Sequence, residues 1–288
     1  MEIHKSLTIL TFIILIFLCG CSKKKVEYED KSQQIAKDTL NQLKLDYKED
    51  FEIESITYTK ENDSYVLFVH PKSEPDISFR VIKWAMGGNN LIDNYIPTRR
   101  DAQTNKIFKP FANNINKKNL LFAAVGDPMK DGENVTDDRV YNNMKYSIND
   151  VIKLKKDEIR IVMLMFFFFD LNENNKEEVC KKVFEMVKYI QSLEVAEVDI
   201  SIQFYDEDFF RDKDVVKINE KEMGPAGMMN FETQYYDNNK VNIIFKEKTL
   251  KEFKTIKSYK DIEEKIWYKE FTGEKTYIGG DDYKWVQK

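Results

Sequence analysis

The chain has 288 residues, with 45 Lys and Arg against 50 Asp and Glu, for a formal net charge of -5. That balance leaves no basic footprint for nucleic acid, so no nucleic-acid partner is expected. The length suits one large or two small domains, and three cysteines cannot build a disulfide scaffold.

The first twenty residues differ from the rest. Leu7 to Leu18 is an almost unbroken apolar run, followed by Cys19, Gly20, Cys21, Ser22 and three lysines. A run of that length fits the core of a signal peptide and falls short of the ~20 residues needed to span a bilayer. Leu18-Cys19-Gly20-Cys21 resembles the lipobox of bacterial lipoproteins, with Gly20 as the small residue before the cysteine and Leu18 as the aliphatic residue three before it. The resemblance implies a diacylglyceryl thioether on Cys21 and cleavage after Gly20. The expected location is then the extracytoplasmic side of a cell membrane, held by lipid. Two acyl chains hold a protein stably where one does not. Lys23, Lys24 and Lys25 would lie at the headgroups.

Residues 21–30 read as a tether after the leader, 1–20. Ile35, Thr39, Leu40, Leu43 and Tyr47 recur at helical steps, with Ser32 as the expected N-cap. Phe51 to Thr59 alternates like a strand, with a phase break near Ser55-Ile56 that suits a bulge. Tyr65 to His70 and Ile77 to Val81 alternate too, so an antiparallel meander is expected after the helix. Leu91 to Phe111 suits a helix interrupted by Pro97 and Pro110. The Gly-, Asp- and Pro-rich stretch 126–140 suits a linker or long loop between two domains, 31–125 and 141–288.

A short helix is expected over Ile148 to Leu154. Ile159 to Phe169 is continuously apolar and reads as a strand buried on both faces. Asn174 with Glu177 resembles a capping box that opens a helix over 176–193. Val198 to Phe204 alternates again. Phe231 to Tyr236 and Val241 to Phe245 flank Asp237-Asn238-Asn239-Lys240, a hairpin signal. A helix around Ile262 to Tyr268 and an aromatic tail close the chain. The fold class is therefore α+β, a helix followed by an antiparallel strand meander, and the recurring order admits a duplication in two halves.

Removing the leader leaves His70 and Cys180 as the last imidazole and the last thiol. A multi-histidine zinc site and an internal disulfide are then impossible. No G-x-S-x-G elbow exists to pair with His70. Cys180 borders the apolar stripe of its helix and reads as a small core residue, although a first-turn thiol can be activated by the helix dipole. Asp170 to Asn175 has the oxygen spacing of a calcium-loop opening, but Asn175 stands where glycine is required and Lys181 where glutamate is. No cofactor-binding loop is present, and no catalytic residue is assigned.

Three sites remain as candidates. Asp206, Asp208 and Asp212 crowd one loop and could hold a cation, against the simpler reading of a solvated connection. Met223, Met228 and Met229 frame a Gly-Pro-Ala-Gly loop, an adaptable apolar lip for a partner or a flap over the core. Trp84, before Gly87 and Gly88, is a similar case. The expected function is a membrane-anchored binding or interaction module whose partner is the membrane together with an unknown protein, peptide or small ligand. The alternatives are a carboxylate-dependent hydrolase of the envelope and an accessory lipoprotein of an envelope complex.

Overall fold

The structure is a computed structural model that describes residues 31–85, 91–126, 142–143, 145–205, 239–275 and 281–287. Cys21, the Asp206, Asp208 and Asp212 loop, the Met223, Met228 and Met229 loop and the first arm of the expected hairpin lie outside the described residues. The chain divides into two compact units, one up to Tyr95 and one from Ile96 on. Both mix helices with antiparallel pairing, and the class is α+β.

The first unit opens with helix α1, residues 31–47, and Ser32 stands inside it instead of capping it. Strands β1 (Phe51–Thr59), β2 (Ser64–Pro71), β3 (Phe79–Trp84) and β4 (Leu91–Asp93) follow as an antiparallel sheet in that order. The expected bulge is present, shifted slightly: the register breaks between Ile53 and Ser55, which leaves Glu54 unpaired. An extra residue on an edge strand bends it and spoils it as a template for further pairing.

One face of this sheet carries Phe51, Leu67, Val69, Phe79 and Val81, all buried. Tyr95 sits at its centre, with ring centroids 4.7 Å from Phe79, 4.8 Å from Tyr47 and 5.1 Å from Phe51. The Tyr47 hydroxyl donates to Asp93 at 2.8 Å, and the Tyr95 hydroxyl donates to Glu49. Burial, together with the Asp93 carboxylate, pushes the Tyr47 phenol far above its ordinary value, so it stays a donor. These aromatic contacts of Tyr95, edge-on to Tyr47 and Phe51 and tilted to Phe79, add to the area they bury.

The second unit is built on a six-stranded sheet. Helix α2 (Tyr95–Ile115) leads into β5 (Asn119–Gly126), and α3 (Ile148–Lys155) leads into β6 (Arg160–Phe168). Helix α4 (Lys176–Leu193) then crosses to β7 (Glu197–Tyr205), which lies parallel to β6. Strand β8 (Asn239–Thr249), short helices α5 (Leu250–Phe253) and α6 (Tyr259–Glu263), β9 (Ile266–Lys275) and β10 (Asp281–Val286) complete the order β10-β9-β8-β7-β6-β5. A parallel pair needs a long crossover, and α4 supplies it. Among the described elements, both units hold a helix and four strands that pair antiparallel in chain order, α1 with β1–β4 and α4 with β7–β10. The second unit adds β5 and β6 beyond β7, so the sheets as wholes differ.

Val179, Cys180, Val183, Met186, Val187 and Ile190 form the buried stripe of α4. They pack with Ile161, Met163, Met165 and Phe167 of β6 and with Ile200, Ile202 and Phe204 of β7 in one cluster. The opposite side of the sheet buries Leu120, Phe122, Phe166, Phe168 and Tyr205. The continuous apolar run of β6 thereby serves two cores, as a strand covered on both sides must.

Several sequence-based expectations are corrected. The domain boundary falls at Tyr95, not in 126–140, because β5 pairs along its whole length with β6 and draws residues 96–125 into the second unit. Pro97 and Pro110 do not interrupt α2. Pro97 lies in the first turn, where its missing N–H is not needed, and Pro110 is exposed. The capping box at Asn174 is not made. Asn175 is the N-cap and its side chain turns back, accepting from the Asn172 N–H at 2.9 Å and donating to the Asp170 carbonyl at 2.8 Å. The helix expected over Ile262 to Tyr268 ends at Glu263, and Ile266 and Tyr268 instead pair with Ile243 and Val241.

Candidate functional site

The uncovered face of the first sheet is the one exposed apolar surface that the described strands assemble row by row. Thr59, Ser64 and Trp84 form one cross-strand row, Thr57, Val66, Ile82 and Ile92 the next, and Ser55, Phe68 and Arg80 a third. Opposed side chains in such rows lie about 5 Å apart and diagonal ones about 7 Å, so the apolar members touch. Phe68 is 43% exposed, Trp84 41% and Ile92 54%, while Val66 and Ile82 are half-buried between them. An isolated exposed leucine is ordinary, but a contiguous group with two aromatics is the kind of surface that marks a contact site.

The charges stand at the rim. Arg80 is exposed beside Phe68, and its backbone N–H donates to the Asn94 side chain at 2.8 Å. At the β1 side His70 faces Glu52 across the strands, and its Nδ1 lies 3.2 Å from the carboxylate of the bulged Glu54. The face therefore runs from an acidic margin on β1 to an apolar region over β3 and β4.

Trp84 is the one candidate binding residue that falls among the described residues, and it lies on this face. Phe68, Ile82 and Ile92 were not singled out from the sequence. Their signal was nevertheless there. Tyr65-Val66-Leu67-Phe68-Val69 is apolar at consecutive positions, and one face of an antiparallel strand ordinarily meets water.

The other polar groups read as structure. Cys180 is buried, and burial pushes its thiol up to about 12, which makes it inert as a nucleophile at neutral pH. Asp101 on α2 has its carboxyl pushed up to about 7, with burial as the cause and no second carboxylate contributing. That is not the facing pair that acid–base hydrolysis uses. Arg100 is buried and donates to the carbonyls of Tyr146 at 2.7 Å and Asn143 at 3.0 Å, which pins the chain before α3. Asn105 accepts from the Ala123 N–H at 2.7 Å and so caps the outer edge of β5. Among the described residues no group of three or more His, Cys, Asp and Glu is placed to hold a metal ion, and no helix is long and apolar enough to cross a membrane.

No protein-family model matches the chain, and no curated protein matches it. Among solved structures it is similar to a DUF5037 family protein from Ruminococcus gnavus ATCC 29149, at 14% identity and a TM-score of 0.43, covering 77% of this chain and 98% of that one. A likeness that loose carries no argument about function.

Proposed function

We propose that the chain is a lipid-anchored extracytoplasmic protein that works by contact: the lipid on Cys21 holds it at a membrane, and the open face of the first sheet engages what lies there. The observation that carries this reading is the contiguous exposure of Phe68, Trp84 and Ile92 around Val66 and Ile82. Burying such a face would be favourable at about 25 cal/mol per Å² of apolar area, a gain that only contact with another apolar surface realises. The anchor rests on Leu18-Cys19-Gly20-Cys21.

Metabolic labelling with a fatty acid tests the anchor. The natural chain should take up label and fractionate with membranes, and Cys21→Ala should lose both. Label retained in Cys21→Ala would refute the anchor.

A further inference from the structure

We propose that the open face of the first sheet rests on the lipid surface itself, with the β3–β4 side dipped to the headgroup–acyl boundary and the β1 side lifted away. This deepens the reading above and rests on the lipid at Cys21.

Reach is the first argument. Cys21 stands ten positions before residue 31, the first described residue of α1. Even fully extended, that stretch spans about 35 Å, comparable to the width of a small domain. The first unit is thus held where its open face can always find lipid, and a tethered contact needs far less intrinsic affinity than a free one.

Size is the second. The exposed apolar portions of Phe68, Trp84, Ile92, Val66 and Ile82 amount to an area on the order of 300 Å², a usual size for the largest patch on a monomer. A stable protein interface buries about 800 Å² on each partner. The face is too small to hold a second copy or a folded partner alone. It is sufficient to orient a body that lipid already retains.

Chemistry is the third. Tryptophan is favoured at headgroup depth, where its ring is apolar and its N–H can still donate. Arg80 lies on the same face, as a donor for phosphate. Glu52 and Glu54 lie at the opposite margin, where a negatively charged surface would repel them. That asymmetry sets the tilt: Ile82, Trp84 and Ile92 down, Glu52 and Glu54 up.

The test uses the full lipidated chain carrying Trp267→Phe and Trp285→Phe, which leaves Trp84 as the single tryptophan. It is reconstituted on vesicles of phosphatidylcholine with a minor share of phosphatidylglycerol, with and without bromine on the acyl chains. Flotation reports binding and circular dichroism reports folding. The expected result is flotation together with a fall of about twofold or more in Trp84 fluorescence on brominated vesicles, as for an indole at the boundary. Phe68→Ser with Ile92→Ser should keep flotation and relieve the quenching. Flotation without quenching overturns the lipid-facing proposal and leaves the anchor standing, and a dimer under those conditions would assign the face to a second copy. A folded chain that does not float overturns the anchor and, with it, the argument from reach.

Discussion

Strands β2 and β6 are both strongly apolar, yet they end in different environments. In β2, Tyr65, Leu67 and Val69 are buried, while Val66 is half-buried and Phe68 is exposed on the other side. In β6, Met165, Phe166, Phe167 and Phe168 are buried in succession, on both sides of the sheet. The difference is one of covering. Strand β6 lies between β5 and a parallel β7, with α4 packed in the cluster on one of its sides. Strand β2 belongs to a meander whose aromatic core fills a single face. The same apolar pattern is therefore core in one sheet and surface in the other, and the surplus on β2 is what calls for a function.

Substitutions at matched positions would sharpen or break this contrast. Phe167→Ala removes a fully buried ring stacked 5.5 Å from Phe204, and should destabilise the second unit by about 3–5 kcal/mol in urea unfolding. Burial of charge gives the next effect. The Asp101 carboxyl is pushed up to about 7 from an ordinary 3.8. The folded state thus holds this proton more tightly than the unfolded chain. Its contribution is fully present below about pH 4 and is lost as pH rises through about 7. Asp101→Asn should therefore gain stability relative to the natural chain between those values and match it in acid. A parallel pair of pH profiles would contradict the assignment.

Smaller effects belong to the caps. The Thr249 hydroxyl accepts from the Glu252 N–H at 3.3 Å while Glu252 reaches back to the Thr249 N–H at 3.0 Å. Thr249→Ala should cost about 1 kcal/mol. Phe68→Ser should be the mildest change, within about 0.5 kcal/mol, because the ring has little to lose on an exposed face. If unfolding measurements instead show that Phe68→Ser costs as much as Phe167→Ala, the face is core and the contrast fails.

Much of the architecture was legible because it is local. The α4 stripe, the β6 run, the alternation of β7 and the bulge in β1 each depend on neighbours within a few residues. The misread domain boundary and last helix depend on partners far along the chain, whereas the misread cap at Asn174 turns on the side chain beside it. The Gly-, Asp- and Pro-rich composition of 126–140 cannot tell a connection within a unit from one between units. That distinction is made by pairing of β5 with β6, some forty residues on. Ile266 and Tyr268 suit a helix turn or a strand equally, and pairing with Ile243 and Val241 decides. The candidate face was half legible. Trp84 stood out as a residue, whereas Ile82 and Ile92 join it only through the β3–β4 register.

The central claim is that this face is occupied in place and bare in isolation. Hydroxyl-radical footprinting compares the two states directly, on intact cells and on the protein extracted and freed of detergent. Phe68, Trp84 and Ile92 should be oxidised readily in detergent-free solution after extraction and be protected several-fold on cells, with exposed Leu45 of α1 as the reference in both. Equal oxidation of the three residues in both states would contradict the account.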